Sequence, residues 1–534
     1  MSPSRRIFVS QILEGIMHEQ AEHLVEDDGS DEHGADLKIS MANLHSLLSP
    51  IHQLPPELLV NIFRLICAST ELRLSETPQI VALTSVCGRW RETALSTPSL
   101  WADISFESTV WLGKYRFEPN NFEKNLPGLV RVVRLFLARS QTAPLDLSLG
   151  LHSFDEQSSP NMVDLMDLIA TTKDRWRNVV FSFAEALLDQ LEHPSSGQLC
   201  RPPPLSLESL TLALLMHRPL PGMASDSRSL LQGFESCPSL TSLSLTASAA
   251  HYWSRFSLPW RQITKLQISD IDTSSLAEML KDTPGLKELC VSSITPTPNL
   301  ENELRINPIS LVMLERLDLE YRADVPSILR HFTFPRLTSL LLPCDEAESP
   351  WNHSHFTEFL ERSSCTVTHL RIGEFSGPGL DILRLFPRLE SLRIEETVLL
   401  ADFKFSSTNL FTEAFLCQLF ELILTNPDST RSSSPLPYLP QLTDLTLMYL
   451  GTDLDIDHLV NAISTSPTPW SVSDRLQRRN LRLDIEYIVK RTRRSEDELM
   501  PSMELEVLEN LRDVIPGVSL RVEVFRNRDD SILW

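Results

Sequence analysis

The chain has 534 residues, of which 42% are hydrophobic and 22% charged, so we expect a mostly globular protein with room for several domains. Its net charge of -23 at pH 7 disfavours nonspecific nucleic-acid binding, because an acidic surface repels phosphate. The eight cysteines show no CxxC spacing, and no apolar run approaches about 20 residues, so neither a disulfide framework nor a membrane-spanning helix is expected and the reduced thiols fit the cytoplasm or nucleus.

Residues 1–45 are the first predicted segment. Apolar side chains between positions 8 and 17 recur at helical spacing and predict an amphipathic helix. The run EDDGSDE at 26–32 is strongly acidic, and such a run is typical of a flexible tether. We therefore predict an N-terminal helix and an acidic tether before the first domain.

The stretch from Pro50 to Phe106 carries more apolar side chains than so small a module can bury. Pro55 and Pro56 open a predicted helix of about three turns, in which apolar residues surround much of the axis. They are Leu58, Leu59, Ile62, Phe63, Leu65 and Ile66. A surface helix needs only one apolar stripe, and a unit of under about 60 residues is marginal by itself. The excess predicts a partner surface.

A second predicted helix starts with Thr77 as its N-cap and Pro78 as its first residue. Four apolar residues follow at i, i+3, i+4 and i+7 spacing, which places them on one face. They are Leu83, Val86, Cys87 and Trp90. This face is therefore predicted to pack against the first helix or against a partner.

Three ordered signatures in this stretch closely resemble the F-box, the helical module that docks its protein onto the Skp adaptor of cullin-RING ubiquitin ligases. They are LPPELLVNIF at 54–63, VCGRW at 86–90 and PSLW at 98–101. The resemblance implies an F-box-like domain at residues 46–108, whose key residues divide between adaptor contact and core. They are Leu54, Pro55, Glu57, Leu58, Ile62, Phe63, Val86, Cys87, Trp90, Leu100 and Trp101. A plain helical subdomain with a buried tryptophan is the alternative.

One departure from the F-box pattern is a longer link between the first two helices, at about residues 69–77. The family's branch in mushroom-forming fungi often has this form. The longer link could alter adaptor affinity without abolishing the fold.

Nine copies of an LxxLxL-type apolar pattern follow, often preceded by proline. The last two apolar residues of each copy are two apart and share one face of a short strand, while the first packs where the chain turns in. The copies begin at positions 207, 240, 263, 286, 314, 337, 367, 389 and 442. Alternating segments at 145–149 and 179–183 predict earlier strands, and those at 481–485 and 518–524 predict later ones.

This part resembles a degenerate leucine-rich repeat domain, an arrangement known to be joined to F-boxes. The resemblance implies an α/β repeat fold: a small all-α F-box-like helical module followed by a leucine-rich repeat solenoid, an irregular horseshoe with a C-terminal cap, at residues 109–534. The alternative is a conventional α/β domain with a doubly wound sheet. That alternative is disfavoured because no glycine-rich phosphate loop follows a predicted strand.

Catalytic and metal-binding patterns are incomplete. His18, Glu19 and His23 approach the zinc-protease motif HExxH, but the second histidine lies one place too far along to share a metal. The aspartates at 453–457 resemble the start of a calcium loop that lacks its glycine and its closing glutamate. No GxSxG or Walker motif occurs. We therefore expect no enzyme activity, no catalytic residues, no metal and no cofactor.

Four basic residues of the repeats are predicted to occupy one common position on the strands. They are Lys265, Arg316, Arg371 and Arg393. If they line up, they form a basic stripe suited to an acidic or phosphorylated peptide. The alternative is a set of solvated strand positions, neutralised by the acidic residues at 288, 318 and 320.

A basic cluster at 490–494 is followed by acidic residues. Both a nuclear import signal and a charge-balanced exposed loop remain open for it.

These observations predict a substrate-recognition subunit of a Skp-cullin-F-box ubiquitin ligase, acting in ubiquitin-dependent protein degradation. The F-box would bind the Skp adaptor and through it a cullin, and the repeats would bind an unknown target protein. Neither nucleic acid nor membrane is an expected partner. The alternative is a non-catalytic repeat scaffold that binds the adaptor or another partner without directing ubiquitin transfer.

Overall fold

The structure is a computed structural model. It describes residues 11–12, 51, 54–67, 72, 77–107, 119–151, 160–183, 187–188, 191, 203–214, 230–295, 309–319, 329–342, 353–373, 379–395, 413–424, 439, 441–450, 482–491 and 518–526. The chain divides into two compact units, residues 1–105 with 131–143 and residues 106–130 with 144–534. Apart from Gln11 and Ile12, which are helical, the predicted N-terminal helix and tether lie outside the described residues.

Short helices make up most of the described part of the first unit. They are α1 (Pro56–Cys67), α2 (Gln79–Val86), α3 (Gly88–Leu95) and a 3-10 turn at Pro98–Trp101. The strand β1 (Asp103–Glu107) and the long helix α4 (Pro119–Arg139) follow in the chain. The predicted start of the first helix at its proline pair is confirmed.

The predicted second helix is two helices. The chain is extended at Cys87, with φ -158° and ψ 167°, so α2 ends before this residue and the prediction of one helix through Trp90 is wrong. Cys87 instead caps α3, because its Sγ accepts a hydrogen bond from the Trp90 N–H at 3.5 Å. The predicted N-cap also differs, since Pro78 rather than Thr77 precedes the first helical residue.

Aromatic side chains fill the core of the first unit. The Trp101 indole is buried; its Nε1–H donates to the Ala94 carbonyl at 2.8 Å, and its ring meets Phe136 edge-on at 5.2 Å. The buried Phe63 ring meets Trp90 edge-on at 5.1 Å. Such aromatic pairs add about 1 kcal/mol each beyond the area that they bury. Phe63 and Trp90 thus join α1 to α3, and Trp101 joins the 3-10 turn to α3 and α4.

A parallel sheet dominates the second unit. Its strands are β2 (Leu145–Leu151), β3 (Trp176–Phe183), β4 (Ser209–Leu214), β5 (Ser242–Ala247), β6 (Lys265–Asp272), β7 (Glu288–Thr295), β9 (Arg316–Leu319), β11 (Ser339–Leu342), β12 (His369–Ile372), β13 (Ser391–Glu395), β14 (Asp444–Leu450), β15 (Arg482–Arg491) and β16 (Val518–Arg526). Neighbours in this sheet follow the order of the chain, and the described strands do not close into a barrel. The strands predicted at both ends of the array are confirmed.

Smaller elements lie between these strands. A two-stranded parallel sheet pairs β8 (Ile309–Ser310) with β10 (Phe332–Thr333). The helices are α5 (Pro160–Ala170), α6 (Thr273–Lys281), α7 (His353–Ser363) and α8 (Glu413–Leu424). The Asp272 carboxylate caps α6 by accepting from the N–H groups of Ser274 and Ser275.

Every apolar residue of the nine predicted LxxLxL-type patterns is at most 3% exposed. The last two residues of each copy lie on a strand, on the same face. The first lies in a turn just before it; for example, the Leu286 N–H donates to the Thr283 carbonyl at 3.2 Å. One buried face thus follows from the two-residue period of the strands.

A repeated backbone contact links the starts of successive strands. The Thr264 carbonyl accepts hydrogen bonds from the N–H groups of Lys287 and Glu288, at 2.8 and 3.0 Å. The Thr338 carbonyl accepts in the same way from Thr368 and His369, at 2.9 and 3.0 Å. These paired contacts satisfy backbone donors at the strand starts and set neighbouring strands in register.

The strand order rules out the doubly wound alternative. A doubly wound sheet reverses its strand order at a switch point. Here the described strands keep the order of the chain from one side of the sheet to the other. The second unit is therefore a mostly parallel α/β structure of another topology.

Candidate functional site

Helix α1 has two adjacent apolar faces. One packs into the core of the first unit, and the other is exposed to solvent. Leu59 and Phe63 are fully buried in the core of the first unit. Leu58 is 49% exposed and Leu65 is 79% exposed, and their seven-residue separation puts them on the same side of the helix, with the half-buried Ile62 between them. We name these three residues the apolar face of α1.

The structure separates the eleven residues of the predicted F-box set into classes that the sequence left open. The core contains Phe63, Leu100 and Trp101; half-buried positions are Leu54, Ile62, Cys87 and Trp90; exposed positions are Pro55, Glu57, Leu58 and Val86. Exposed apolar residues thus lie on both α1 and α2. Leu65 and Ile66 add to this surface but were absent from the predicted set, although the helical period contained their signal.

Polar contacts connect segments of the helical module. The Arg89 guanidinium donates to the Leu54 carbonyl, which ties α3 to the residues before α1. Arg91 Nε donates to the Thr84 carbonyl at 2.9 Å and joins α3 to α2. Arg64 Nη2 donates to Ser99 Oγ at 3.3 Å. The apolar face of α1 is thus presented by a braced set of helices.

Comparison with known protein families finds a match for this helical module. Residues 51–107 match the family model described as F-box-like. F-box-like domains in general bind Skp-type adaptors, as parts of substrate receptors of SCF-type ubiquitin ligases. The match spans α1, α2, α3 and β1, so the exposed apolar residues lie inside it. No curated protein matches the chain.

The four predicted basic positions lie in two rows of the sheet. Lys265 and Arg316 are each aligned with Glu288, in the first row. Arg371 and Arg393 are aligned with each other, two residues further along their strands. The prediction of a single common position is therefore wrong, because the two pairs stand on opposite sides of the middle buried residue of their patterns. All four still lie on the face that alternates with the buried residues, which we name the polar face.

The positive charges of the first row are neutralised by neighbouring carboxylates, as the alternative interpretation predicted. Lys265 Nζ lies 2.9 Å from Glu288 Oε1, and Arg316 Nη2 lies 2.8 Å from Asp318 Oδ2. The hydrogen bond to Asp318 raises the pKa of Arg316. Glu320, also expected to neutralise the stripe, lies outside the described residues. Lys265 and Arg316 therefore already form ion pairs within the sheet.

The second row is organised around a carboxylate that sequence reasoning missed. Glu395 is buried at the end of β13. Its Oε1 lies 2.7 Å from Arg371 Nε, and its Oε2 accepts from Arg371 Nη2, also at 2.7 Å. Arg393 Nε donates to the same Oε1, and Arg393 Nη2 donates to Met448 Sδ at 3.3 Å. The missed signal was an acidic residue directly after the apolar strand pattern.

Among the described residues, the other side chains that could react do not cluster into a catalytic arrangement. A cavity of about 390 Å³ is lined by Leu258, Pro259, Trp260, Arg261, Gln262 and Asp282. Burial raises the pKa of the Cys237 and Cys365 thiols to about 11, which keeps them protonated and weakly nucleophilic at neutral pH. Within the described residues, no group of three or more His, Cys, Asp or Glu could hold a metal, and no helix could cross a membrane.

Proposed function

We propose that this chain is the substrate-recognition subunit of an SCF-type ubiquitin ligase. The observation that supports it is the apolar face of α1, exposed inside a module that matches the F-box-like family. Burying large aliphatic side chains is favourable at about 25 cal/mol per Å² of apolar surface. An adaptor that covers this face and the exposed Val86 would supply that burial and recruit a cullin.

The second unit is proposed to hold the target protein. We assign residues 1–45 to an N-terminal helix and an acidic flexible tether, 46–108 to the F-box-like domain and 109–534 to a leucine-rich repeat-like solenoid with a C-terminal cap. The chain-order parallel sheet and the nine buried patterns support this assignment. The polar face of this sheet offers side chains to a target without disturbing the core.

In this proposal the chain performs no bond chemistry. It raises the rate of ubiquitin transfer by proximity, because holding a target lysine near the charged conjugating enzyme makes the encounter effectively intramolecular. The protein would act in the cytoplasm, the nucleus or both, where adaptor and cullin are found.

The deciding experiment is co-purification of a Skp-type adaptor with the full chain. The test variant is Leu58→Asp with Leu65→Asp, and the matched control is Val312→Asp, which changes an exposed residue of the second unit. We expect the adaptor to accompany the unaltered chain and the control and to be lost from the test variant. Circular dichroism should show equal helix content in all three.

Retention of the adaptor by the test variant would show that the apolar face of α1 is not the binding surface. Absence of adaptor from the unaltered chain would reject the ligase function. Target accumulation after loss of adaptor binding separates a ligase subunit from a scaffold, because a scaffold does not direct degradation.

A further inference from the structure

A cavity of about 390 Å³ is formed by the turns that lead into β6 and β7, and we name it the Trp260 cavity. The continuous segment 258–262 lines it from the first turn, and Asp282, directly after α6, lines it from the second. Gly285 lets the two turns approach closely, because a Cβ at this position would lie 3.3 Å from the Arg261 carbonyl oxygen. Ligand pockets usually have volumes of about 300 to 1,000 Å³, so the space is large enough for a side chain of a bound molecule.

One wall of the Trp260 cavity is apolar and held in place. It consists of Leu258, Pro259 and Trp260. The Trp260 ring meets the buried Trp253 ring edge-on, with the ring centroids 5.4 Å apart. In the same turn, Gln262 Nε2 donates to the Leu240 carbonyl at 2.9 Å and ties the turn to the one that precedes β5. These contacts fix the indole before any ligand arrives, which lowers the entropy lost on binding.

Three polar groups of the Trp260 cavity have no partner in the described part of the chain. Within that part, the indole N–H of Trp260, the guanidinium of Arg261 and the carboxylate of Asp282 take part in no hydrogen bond or ion pair. Arg261 and Asp282 are both exposed and line the same cavity, yet they do not pair with each other. The cavity therefore offers a ligand two groups that donate hydrogen bonds and one that accepts them.

This combination of groups suits a peptide backbone beside an apolar side chain. A peptide bond carries one N–H donor and one carbonyl acceptor, so a backbone can use both the carboxylate and the donors. Leu258 is the one buried residue among the six that line the cavity, and the others keep contact with solvent. Sites for small molecules usually bury about 70–90% of their ligand. An open cavity of this kind is better suited to a peptide that enters and leaves it.

The indole of Trp260 favours an aromatic ring as the apolar part of the ligand. Aliphatic and aromatic side chains both gain free energy from apolar burial. Only an aromatic ring also gains from the edge-to-face or offset stacked geometry of a ring pair. Trp253 packs on one part of the half-buried Trp260 side chain, and the part that lines the cavity is open to a second ring.

We propose that the Trp260 cavity binds an aromatic side chain of an extended target peptide. In this arrangement Asp282 accepts a hydrogen bond from a backbone N–H of the peptide, and Arg261 donates to a backbone carbonyl. This inference rests on the proposed function, since it names the kind of side chain by which the target protein is held.

The test is saturation-transfer NMR, which detects weak ligands, with the full chain and three blocked pentapeptides. The peptides carry phenylalanine, leucine or serine at the centre and two glycines on each side. One variant is Trp260→Leu, which removes the ring and keeps apolar bulk; the other is Arg261→Ala with Asp282→Ala. The matched control is Lys287→Ala with Glu278→Ala, which removes one charge of each sign from exposed residues that do not line the cavity. Circular dichroism should show that all variants fold alike.

We expect the phenylalanine peptide to bind about fivefold more tightly than the leucine peptide, and the serine peptide to bind most weakly. Trp260→Leu should reduce the preference for phenylalanine over leucine to less than about twofold. Arg261→Ala with Asp282→Ala should weaken all three peptides by a similar factor, about fivefold, because the backbone that these groups contact is common to the three. The control should stay within about twofold of the unaltered chain.

Several results would overturn the inference: no binding to the unaltered chain, equal binding of the phenylalanine and leucine peptides, an unchanged preference in Trp260→Leu, or equal losses in the double variant and the control. Free phenylalanine provides a further check, because it has the same ring but no peptide bonds. If it displaces the phenylalanine peptide at the peptide's own concentration, the cavity binds a single amino acid and not a peptide. Failure to displace the peptide supports the inference.

The outcome is separable from that of the proposed function. The variant Trp260→Leu keeps the apolar face of α1 and should still co-purify with the adaptor. Preference for the phenylalanine peptide without adaptor binding would reject the ligase assignment alone, whereas adaptor binding without this preference would reject the Trp260 cavity alone.

Discussion

The two units of this protein offer surfaces of opposite character. The first exposes large aliphatic side chains on α1 and α2, and covering them with a suitable apolar surface would lower the free energy. The second exposes charges on its sheet, and most of these are already compensated by carboxylates on the same or the next strand. The comparison teaches that the first unit exposes apolar surface that a partner could still bury, whereas the cations described on the polar face of the second unit already have carboxylate partners within the sheet.

The largest expected effect separates the two faces of α1. Phe63→Ala removes a fully buried ring that packs on Trp90 and should cost about 3–5 kcal/mol of unfolding free energy. Leu65→Ala, only two residues away and exposed, should change that free energy by no more than about 0.5 kcal/mol. Denaturant unfolding of the full chain, followed by the helix signal, measures both. Similar costs would mean that Leu65 is part of the core.

A smaller effect is expected at Glu395. Replacing it with alanine leaves Arg371 and Arg393 opposite each other without their shared acceptor, at a cost of about 2 kcal/mol because both guanidiniums are partly solvated. Thermal unfolding is the measurement. In a background with Gln at positions 371 and 393, the same substitution should cost less than half as much; an undiminished cost would show that the carboxylate supports something other than Arg371 and Arg393.

Salt should leave the adaptor interface almost unchanged. Between about 0.1 and 1 M sodium chloride, affinity for the adaptor should change by about twofold at most, because apolar burial is not screened. Titrations of the adaptor against the full chain at several salt concentrations test this. A loss of about tenfold or more would show that ion pairs, and not the apolar face of α1, dominate the contact.

The smallest effect is expected at the first row of cations. Lys265 and Glu288 are both well exposed, so Lys265→Gln should change the unfolding free energy by no more than about 0.5 kcal/mol. Chemical denaturation of the variant beside the unaltered chain measures this. A clearly larger cost would show that the Lys265–Glu288 pair supports the sheet more than an exposed ion pair does.

Sequence reasoning succeeded where a short period determines structure. The patterns that start at positions 207 through 442 became buried strands because alternation of side chains is a local property of an extended chain. The proline-opened helix α1 followed from local rules as well. The topology of the second unit then resulted from joining these local predictions in order.

Sequence reasoning failed where the structure depends on the conformation of one residue or on the pairing of strands that are distant in the chain. The break at Cys87 depends on one extended residue inside a pattern that also fits a continuous helix. The two rows of cations, by contrast, could have been read from the sequence, because one pair precedes the middle apolar residue of its patterns and the other pair follows it. Glu395 was missed because one of its partners, Arg371, is brought to it by the pairing of β12 with β13, which no single segment reveals.

The paired hydrogen bonds at the strand starts have a consequence for how such a chain can change over evolutionary time. At successive strands the donors are backbone N–H groups and the acceptor is a backbone carbonyl, as at Thr264 and Thr338, so the junction does not depend on which side chains flank it. A segment that carries one strand can therefore be duplicated or deleted and leave matched junctions behind. The array can vary in length while each exposed residue remains free to diverge.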